Sequence, residues 1–369
     1  MTLKVLHITN WYPHDTNRHE GLFIKKHIEA LAPFVDSYFV LHLDIKPATR
    51  FKFHKRDFEE GIERRIDIPF NSWFLTEIVA VLSMLYYLIK LRHRNFDIIN
   101  VHIAYPLMTW WHVIKRWITA PVIITEHWSA YHFNFGLPAS VKLQRIKRIF
   151  RQNIPVITVS NSLADDIRKF ARTDFTSFTI PNVVDKQVFY PDESLLRQDY
   201  FFMVSQWKWP KRPLVVFEAF EEFVKSATPI QLWVAGYGPD YTTLQRWVDD
   251  HQMGSSIKLL GSLIDKEIAG HLRNCKAFVH CSEYETFSVV CAEAVCCHTP
   301  VLASKVGGIP EVVGDGEGIL MDSMDAPVLA QGMHRIVSKK FISHHGDRFS
   351  KQVIGMQYFQ ALTRCIHGV

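Results

Sequence analysis

The chain has 369 residues, of which 48% are hydrophobic and 21% are charged. This composition excludes disordered, collagen-like and coiled-coil chains, and the length predicts about two domains. Lys and Arg number 42 against 37 Asp and Glu, and this net charge of +5 is too small a surplus for a dedicated nucleic-acid binder. We therefore expect a globular protein with no nucleic-acid partner.

In the first half of the chain, short β-branched runs alternate with helical patterns. The predicted strands are Lys4–Ile8, Ser37–His42, Asp97–His102, Val122–Glu126, Val156–Ser160 and a short edge strand, Phe178–Ile180. The predicted helices are Leu22–Ala32, Phe74–Leu91 and Leu163–Phe170. Because a parallel crossover needs a helix's length of chain, this alternation predicts a parallel sheet.

The second half repeats the pattern after a break at residues 183–199, where Pro and polar residues without a sustained period predict a linker. Its predicted strands are Tyr200–Val204, Ile230–Ala235, Ile257–Leu260, Ala277–His280 and Val301–Ser304, and its predicted helices are Pro213–Val224, Tyr241–Asp250 and Lys266–Asn274. We expect an α/β protein of two doubly wound, Rossmann-like domains. Such sheets bind ligands at the carboxyl ends of their strands, so the expected site is a central cleft that the domains face.

The longest charge-free apolar runs, Ile78–Ile89 and Ile103–Ile114, are short compared with the ~20 residues of a membrane span. We expect both to be core elements and no integral membrane segment. The six cysteines form no C-x-x-C pair, which favours buried thiols in a reducing, cytoplasmic compartment over a zinc or redox site. The pair His344–His345 lies in a polar stretch and is interpreted as a loop.

Residues 281–294, with the sequence CSEYETFSVVCAEA, follow a predicted strand and lead into a helix. The unpaired amides at the start of a helix, together with its dipole, favour an anion such as a diphosphate. Glu285 and Glu293 would lie about 12 Å apart along a helix, too far to share a metal but suited to the two ends of an elongated ligand. The alternative is a helix-start acid plus a solvated surface glutamate.

The sequence around these glutamates resembles the signature of the retaining GT-B glycosyltransferases of family GT4 (glycosyl transferases group 1). The matching segments extend over nearly the whole chain. They are Trp11-Tyr12-Pro13, Gly21-Leu22-Phe23, Thr125-Glu126-His127, residues 180–191, Gly236-Tyr237-Gly238-Pro239, Leu260-Gly261-Ser262, Glu285 with Glu293, Thr299-Pro300-Val301 and residues 307–311.

The resemblance implies roles for individual residues. Glu285 would contact the transferred sugar and Glu293 the ribose hydroxyls, and His127 would lie near the reacting centre, so that Glu285 and His127 are the candidate catalytic residues. The implied donor-binding residues are Gly21, Lys208, Lys211, Gly236, Ser262, Thr286, Phe287, Ser288, Val289 and Glu293. Among them, Lys211 would neutralise the diphosphate and the amides near Ser288 and Val289 would hold it.

Two positions depart from the family pattern. The family's Gly-Arg-Leu is Ser205-Gln206-Trp207 here, so the arginine is lost, and Lys208 is the candidate replacement although an ammonium cannot reproduce a bidentate fork. Ser288 stands where the family commonly has glycine. Both departures concern donor affinity and identity more than the fold.

The implied activity is retaining transfer of a sugar from a nucleotide-diphosphate sugar, UDP- or GDP-linked, to a glycan or lipid-linked acceptor, without a cofactor. The chain contains no Asp-x-Asp, so we expect no metal. Residues 1–185 would bind the acceptor, residues 186–350 the donor, and residues 351–369 would form a helix returning to the first domain. Two alternatives are a GT-B-type nucleotide-sugar epimerase and a non-catalytic sugar-nucleotide or glycan-binding module.

A basic helical segment, residues 141–151, alternates its cations with Leu143, Ile146, Ile149 and Phe150. A cationic amphipathic helix of this kind suits contact with an anionic membrane. The equally weighted alternative is a surface helix whose apolar side packs on its own domain. If the first interpretation holds, the protein is cytoplasmic and peripheral at the inner face of the membrane.

Overall fold

The computed structural model describes residues 3–14, 17, 20–69, 72–226, 229–341 and 346–368, so His344 and His345 lie outside the described residues. The chain divides into two units, Met1–Val183 with Lys351–Val369, and Val184–Ser350. The first boundary lies two residues before the one expected from the sequence, and the second coincides with it.

The strands are β1 (Lys4–Thr9), β2 (Ser37–Pro47), β3 (Lys52–Phe58), β4 (Gly61–Ile68), β5 (Ile98–His102), β6 (Val122–Glu126), β7 (Val156–Thr158), β8 (Ser177–Thr179), β9 (Gln198–Gln206), β10 (Gln231–Tyr237), β11 (Ile257–Gly261), β12 (Cys275–His280), β13 (Val301–Ser304) and β14 (Gly318–Met321). The helices are α1 (Leu22–Leu31), α2 (Trp73–Leu91), α3 (Trp111–Ile114), α4 (Val141–Phe150), α5 (Asn161–Ala171), α6 (Pro213–Val224), α7 (Tyr241–Asp250), α8 (Asp265–Asn274), α9 (Val289–Cys296), α10 (Ile309–Val312), α11 (Ala326–Ser338) and α12 (Lys351–His367).

The sheet of the first unit has the order β3-β4-β2-β1-β5-β6-β7-β8. The prediction of a purely parallel sheet is wrong at one edge, where β3 and β4 form an antiparallel hairpin. The sequence of β3, KFHKRDF, is charged and almost wholly exposed, so it lacks the apolar run by which the other strands were recognised. The pairing of β4 with β2 also extends β2 to Pro47, five residues beyond its predicted end.

The sheet of the second unit has the order β11-β10-β9-β12-β13-β14, and its pairs are parallel. Its core joins β9, β10 and β12 to the apolar faces of α6, α7 and α11. Because all these strands point the same way, β9, β10, β11 and β12 bring their carboxyl ends to one edge of the sheet, which is where such sheets bind ligands.

The last helix, α12, belongs to the first unit, where it packs on α1 and contributes Ile354, Tyr358 and Leu362 to the core. Gly355 allows this close approach, since a Cβ there would collide with the Ala30 carbonyl. The Tyr358 hydroxyl lies 2.6 Å from Thr125 Oγ1 and 2.7 Å from Asn100 Nδ2, which ties α12 to β5 and β6.

Helix α2 differs from its sequence-based description. Together with the turn up to Arg94 it is long and apolar enough, by length and composition, to cross a membrane, and only 33% of its most apolar stretch is buried. The sequence-based search for long charge-free runs did not detect the length of this apolar helix, because Glu77 and Lys90 lie within it and interrupt the run. Its inner face, which includes Ala80, Met84 and Leu88, is nevertheless buried.

Candidate active site

The loop between β12 and α9 carries Glu285. It ends at Ser288, which is buried, caps α9 with a left-handed backbone (φ 72°) and makes no side-chain capping bond. This is the conformation that glycine adopts without strain, so the backbone accounts for the family's preference at this position. The first amides of α9 lack intrahelical partners, as at any helix start, and are therefore available to an anion.

The Glu285 carboxylate is held by two basic side chains. Lys211 Nζ donates to Oε1, and His280 Nε2 lies 2.7 Å from the same oxygen. Burial by itself raises the pKa of Glu285, but the Lys211 charge and the His280 hydrogen bond outweigh it and lower the pKa to about 2. Glu285 is therefore ionised at neutral pH, and His280 must carry its proton on Nε2 because an ionised carboxylate only accepts hydrogen bonds.

The position of Lys211 is set by a backbone pairing between its loop and the Glu285 loop. Lys211 forms an antiparallel bridge with Ser282. On one side of the bridge the Arg212 amide donates to the Cys281 carbonyl at 3.0 Å, and on the other the Glu283 amide donates to the Pro210 carbonyl at 2.9 Å. Two segments about seventy residues apart in sequence are thus aligned as a short ribbon.

Gly307 and Gly308 hold the other side of Glu285. The Gly308 amide donates to the Glu285 carbonyl at 2.8 Å. Gly307 has a positive φ of 51°, and a Cβ there would collide with the same carbonyl. Both glycines belong to residues 307–311, one of the segments that resemble the family signature. Their contacts with the Glu285 carbonyl explain physically why a residue without a Cβ stands at position 307.

His280 was missed as a site residue. It is the last residue of β12 and is fully buried. A histidine at the end of an otherwise apolar strand, five residues before the candidate catalytic glutamate, was the available signal. Which way its ring points depends on the tertiary structure.

Replacing His280 with Asn is expected to raise the pKa of Glu285, because the carboxylate loses the second group that stabilises its charge. A carboxylate with a lowered pKa works at pH values above that pKa, so the acid limb of the kcat/KM–pH profile should move to higher pH in the variant. The profile measured between pH 3 and 8 checks this. A profile that keeps its acid limb while overall activity falls would show that His280 acts only through folding.

The remaining predicted donor-binding residues occupy several places in the second unit. Gly236 lies near the end of β10 with φ 140°, and a Cβ there would collide with the Ser205 carbonyl on β9. Ser262 is exposed just after β11, and Thr286 is half-buried. Phe287 is buried, with its ring 5.5 Å from that of Phe349. Their contacts with a donor stay predictions.

On α9, Val289 is the first residue and half-buried, whereas Glu293 is buried. The alternative of a solvated surface glutamate at position 293 is therefore wrong, because this side chain lies on a buried face of α9. A buried carboxylate suits the binding of hydroxyl groups better than a purely solvating role.

Gln206 stands at the position where the family has arginine, and its side chain makes an uncharged contact. Gln206 Nε2 donates to the Tyr237 hydroxyl at 2.8 Å. Lys208 is exposed, and within the described ranges its side chain enters no ion pair, so its ammonium is open to an anion. Lys208 therefore stays the predicted replacement for the arginine.

In the first unit, Gly21 caps α1 with φ 65°, and a Cβ there would collide with the Trp11 carbonyl. His127 follows β6 and is buried, with its ring 4.5 Å from Phe23 and 5.1 Å from His27. Burial and the neighbouring His27 lower the pKa of His127 well below its usual value. The imidazole is therefore neutral at pH 7.

Comparisons with known proteins agree with this geometry. The family model described as "Glycosyl transferases group 1" matches residues 190–353, and that described as "Glycosyltransferase Family 4" matches residues 46–188. N-acetyl-alpha-D-glucosaminyl L-malate synthase of Bacillus anthracis is 25% identical over 275 residues, which cover 71% of each chain.

Solved structures show the same fold. Sucrose-phosphate synthase of Thermosynechococcus elongatus superposes with a TM-score of 0.74 at 18% identity, and the match covers 100% of both chains. Anabaena HepE in complex with UDP superposes with a TM-score of 0.73 at 17% identity, covering 98% of this chain and 100% of HepE. Both likenesses concern the fold alone.

Proposed function

Because the chain belongs to the glycosyl transferases group 1 (family GT4) and has the GT-B fold, we propose that it is a retaining enzyme acting on a nucleotide-diphosphate sugar. The acceptor would be a glycan or a lipid-linked sugar. The observation that carries the proposal is the buried Glu285 carboxylate, kept ionised by Lys211 and His280 at the entrance to α9.

The proposed donor site joins a cation, a helix start and an ionised acid. Lys211 and the first amides of α9 would bind the two phosphates, since both carry positive charge, Lys211 contacts Glu285 and α9 begins four residues after it. Glu285 would accept hydrogen bonds from the sugar hydroxyls, and Glu293 from the ribose. HepE was solved with UDP, which supports a UDP-linked donor, and a GDP-linked donor stays the second choice.

The proposed step breaks the bond between the anomeric carbon and the phosphate oxygen and forms a bond from the same carbon to the acceptor oxygen on the same face. The acceptor proton passes to the departing nucleoside diphosphate, so that no group on the protein changes its charge. Negative charge develops on the phosphate oxygens, where Lys211 and the helix start would stabilise it. A Glu285 with a pKa of about 2 is a poor proton donor at neutral pH, so it would not act as the acid.

Gly21 and His127 of the first unit are proposed substrate contacts, with His127 acting as a neutral hydrogen-bonding group. The buried cysteines and the lipid-linked class of acceptor suit a cytoplasmic enzyme at the inner face of a membrane, which we propose as its location.

Release of nucleoside diphosphate tests this function. We expect incubation with UDP-glucose or GDP-mannose to yield it at an appreciable rate only when a glycan or lipid-linked acceptor is added, and 5 mM EDTA to leave the rate unchanged. An epimerase would convert the donor without acceptor, and a binding module would release nothing. Loss of activity in EDTA with recovery in Mg²⁺ or Mn²⁺ would contradict metal-independent transfer.

A further inference from the structure

Helix α2 presents large apolar side chains to solvent along its outer face. Leu82, Tyr86 and Ile89 are 60%, 56% and 52% exposed, and Leu75 continues the same line about two helical turns before Leu82. The inner face of the helix is also largely apolar and lies in the core, with the buried Glu77, which pairs with Arg145, as its charged member. A helix that is apolar on both faces is typical of a fully buried or lipid-exposed position, so the outer face requires a partner.

The neighbouring edge of the sheet continues this surface. Phe51 and Phe53, beside the start of β3, are 64% and 53% exposed. Phe53, Leu82 and Tyr86 line one groove of about 500 Å³ between the hairpin and α2. We call the surface formed by Phe51, Phe53, Leu82, Tyr86 and Ile89 the apolar patch.

Basic side chains surround the apolar patch. Lys55 and Lys90 line the same groove, and the Lys90 ammonium lies 5.9 Å from the centre of the Tyr86 ring. Arg64 also lines it but is buried and bonded to Tyr87 and Asp57, so it is not counted among these cations. Arg92 and Arg94 follow at the end of α2 and are exposed.

We propose that the apolar patch binds an anionic lipid bilayer, with α2 lying parallel to the membrane surface. Apolar and aromatic side chains would enter the boundary between headgroups and acyl chains, while the surrounding lysines and arginines would meet lipid phosphates. The helix would not span the bilayer, because its inner face belongs to the core of the first unit and leaving the sheet would expose that core.

This proposal moves the membrane contact from the sequence-predicted segment 141–151 to α2. In α4 the apolar residues Leu143, Ile146, Ile149 and Phe150 are all buried within the first unit, so this helix offers a bilayer its cations and the exposed Val141 but no apolar face. The alternative interpretation of α4, a surface helix packed on its own domain, is therefore confirmed.

The charge around the apolar patch favours a bilayer over a second copy of this chain. A symmetric pairing would bring each patch against its own equivalent and so place the Lys90 regions of two copies together. Like charges brought together in this way oppose association, whereas an anionic surface neutralises all of them.

Vesicle sedimentation of the full chain without nucleotide tests the proposal. We expect binding to vesicles of 30% phosphatidylglycerol and 70% phosphatidylcholine, with much weaker binding to pure phosphatidylcholine or in 0.5 M NaCl. The triple variant L82S/Y86S/I89S should bind at least about 100-fold more weakly, since each buried side chain of this size contributes roughly tenfold. Replacing Lys55 and Lys90 with Gln should cost roughly fivefold per lysine.

The matched control is L195S/L196S, which removes exposed leucines of the second unit and should bind like the unmodified chain. Three outcomes would overturn the proposal. The first is unchanged vesicle binding in the triple variant. The second is loss of binding only when Lys147 and Arg148 of α4, with Arg151 directly after it, are replaced by Gln. The third is a dimer in light scattering that the triple variant dissociates without any vesicle binding. The assay requires no donor, so it succeeds or fails independently of the proposed transferase activity.

Discussion

Replacing Glu285 with Gln is expected to reduce kcat/KM for sugar transfer by about 10³-fold while the protein still folds. The amide has nearly the same shape as the carboxylate but no charge, so it cannot balance Lys211 or accept strong hydrogen bonds from the sugar hydroxyls and the His280 ring. Initial rates of nucleoside diphosphate release, measured with acceptor at saturating donor, check the prediction.

The control for Glu285→Gln is Glu221→Gln. Glu221 lies on α6 of the same unit and pairs with His251 at 3.0 Å on the surface. This variant should keep full activity, and thermal unfolding of both proteins should show that each is folded. Transfer within about threefold of normal in Glu285→Gln would remove Glu285 from the catalytic step, because the loss of a charged contact at the reacting sugar costs far more than that.

Replacing Lys211 with Ala is expected to weaken nucleoside diphosphate binding by about 10- to 100-fold, the range for loss of one charge-assisted contact. The pKa of Glu285 should rise in the same variant, since the Lys211 charge is the largest influence that lowers it. Isothermal titration calorimetry with UDP and GDP measures the affinities and also distinguishes the two nucleobases.

Lys276→Ala is the matched control for Lys211→Ala, because Lys276 pairs with Asp199 on the surface of the same unit. Its affinity for nucleotide should be normal. The Lys208→Ala variant, titrated in the same way, should lose affinity if Lys208 replaces the missing arginine. Unchanged affinity in Lys211→Ala would place the diphosphate elsewhere.

The candidate site could be predicted from the sequence only where its residues lie in one continuous motif. Glu285, Ser288 and Glu293 follow each other on one loop and the helix that it leads into, so their spacing carried the prediction. Lys211 lies 74 positions away from Glu285, and only the resemblance to a family indicated that it belongs to the same site. His280 carried no role in the sequence, because the direction of its ring depends on how β12 packs.

The fold could be predicted where apolar runs are long and buried. The limits of α6, α7 and β13 agree with the sequence to the residue, since each is bounded by proline, polar or turn residues. The hairpin of β3 and β4 was not predicted, because its outer strand is polar and forms a strand only through its pairing at the sheet edge. The sequence of α2 likewise does not predict which of its faces is exposed, because apolar residues occur on both sides of the helix.

The order of residues by itself determined the alternation of strands and helices, the division into two halves and the segment proposed to bind a diphosphate, because these depend on neighbours a few positions apart. Tertiary structure decided which cation and which histidine meet Glu285, and which apolar helix face stays uncovered. These depend on strand order and on side-chain direction after packing, and neither is encoded in any local period of the chain.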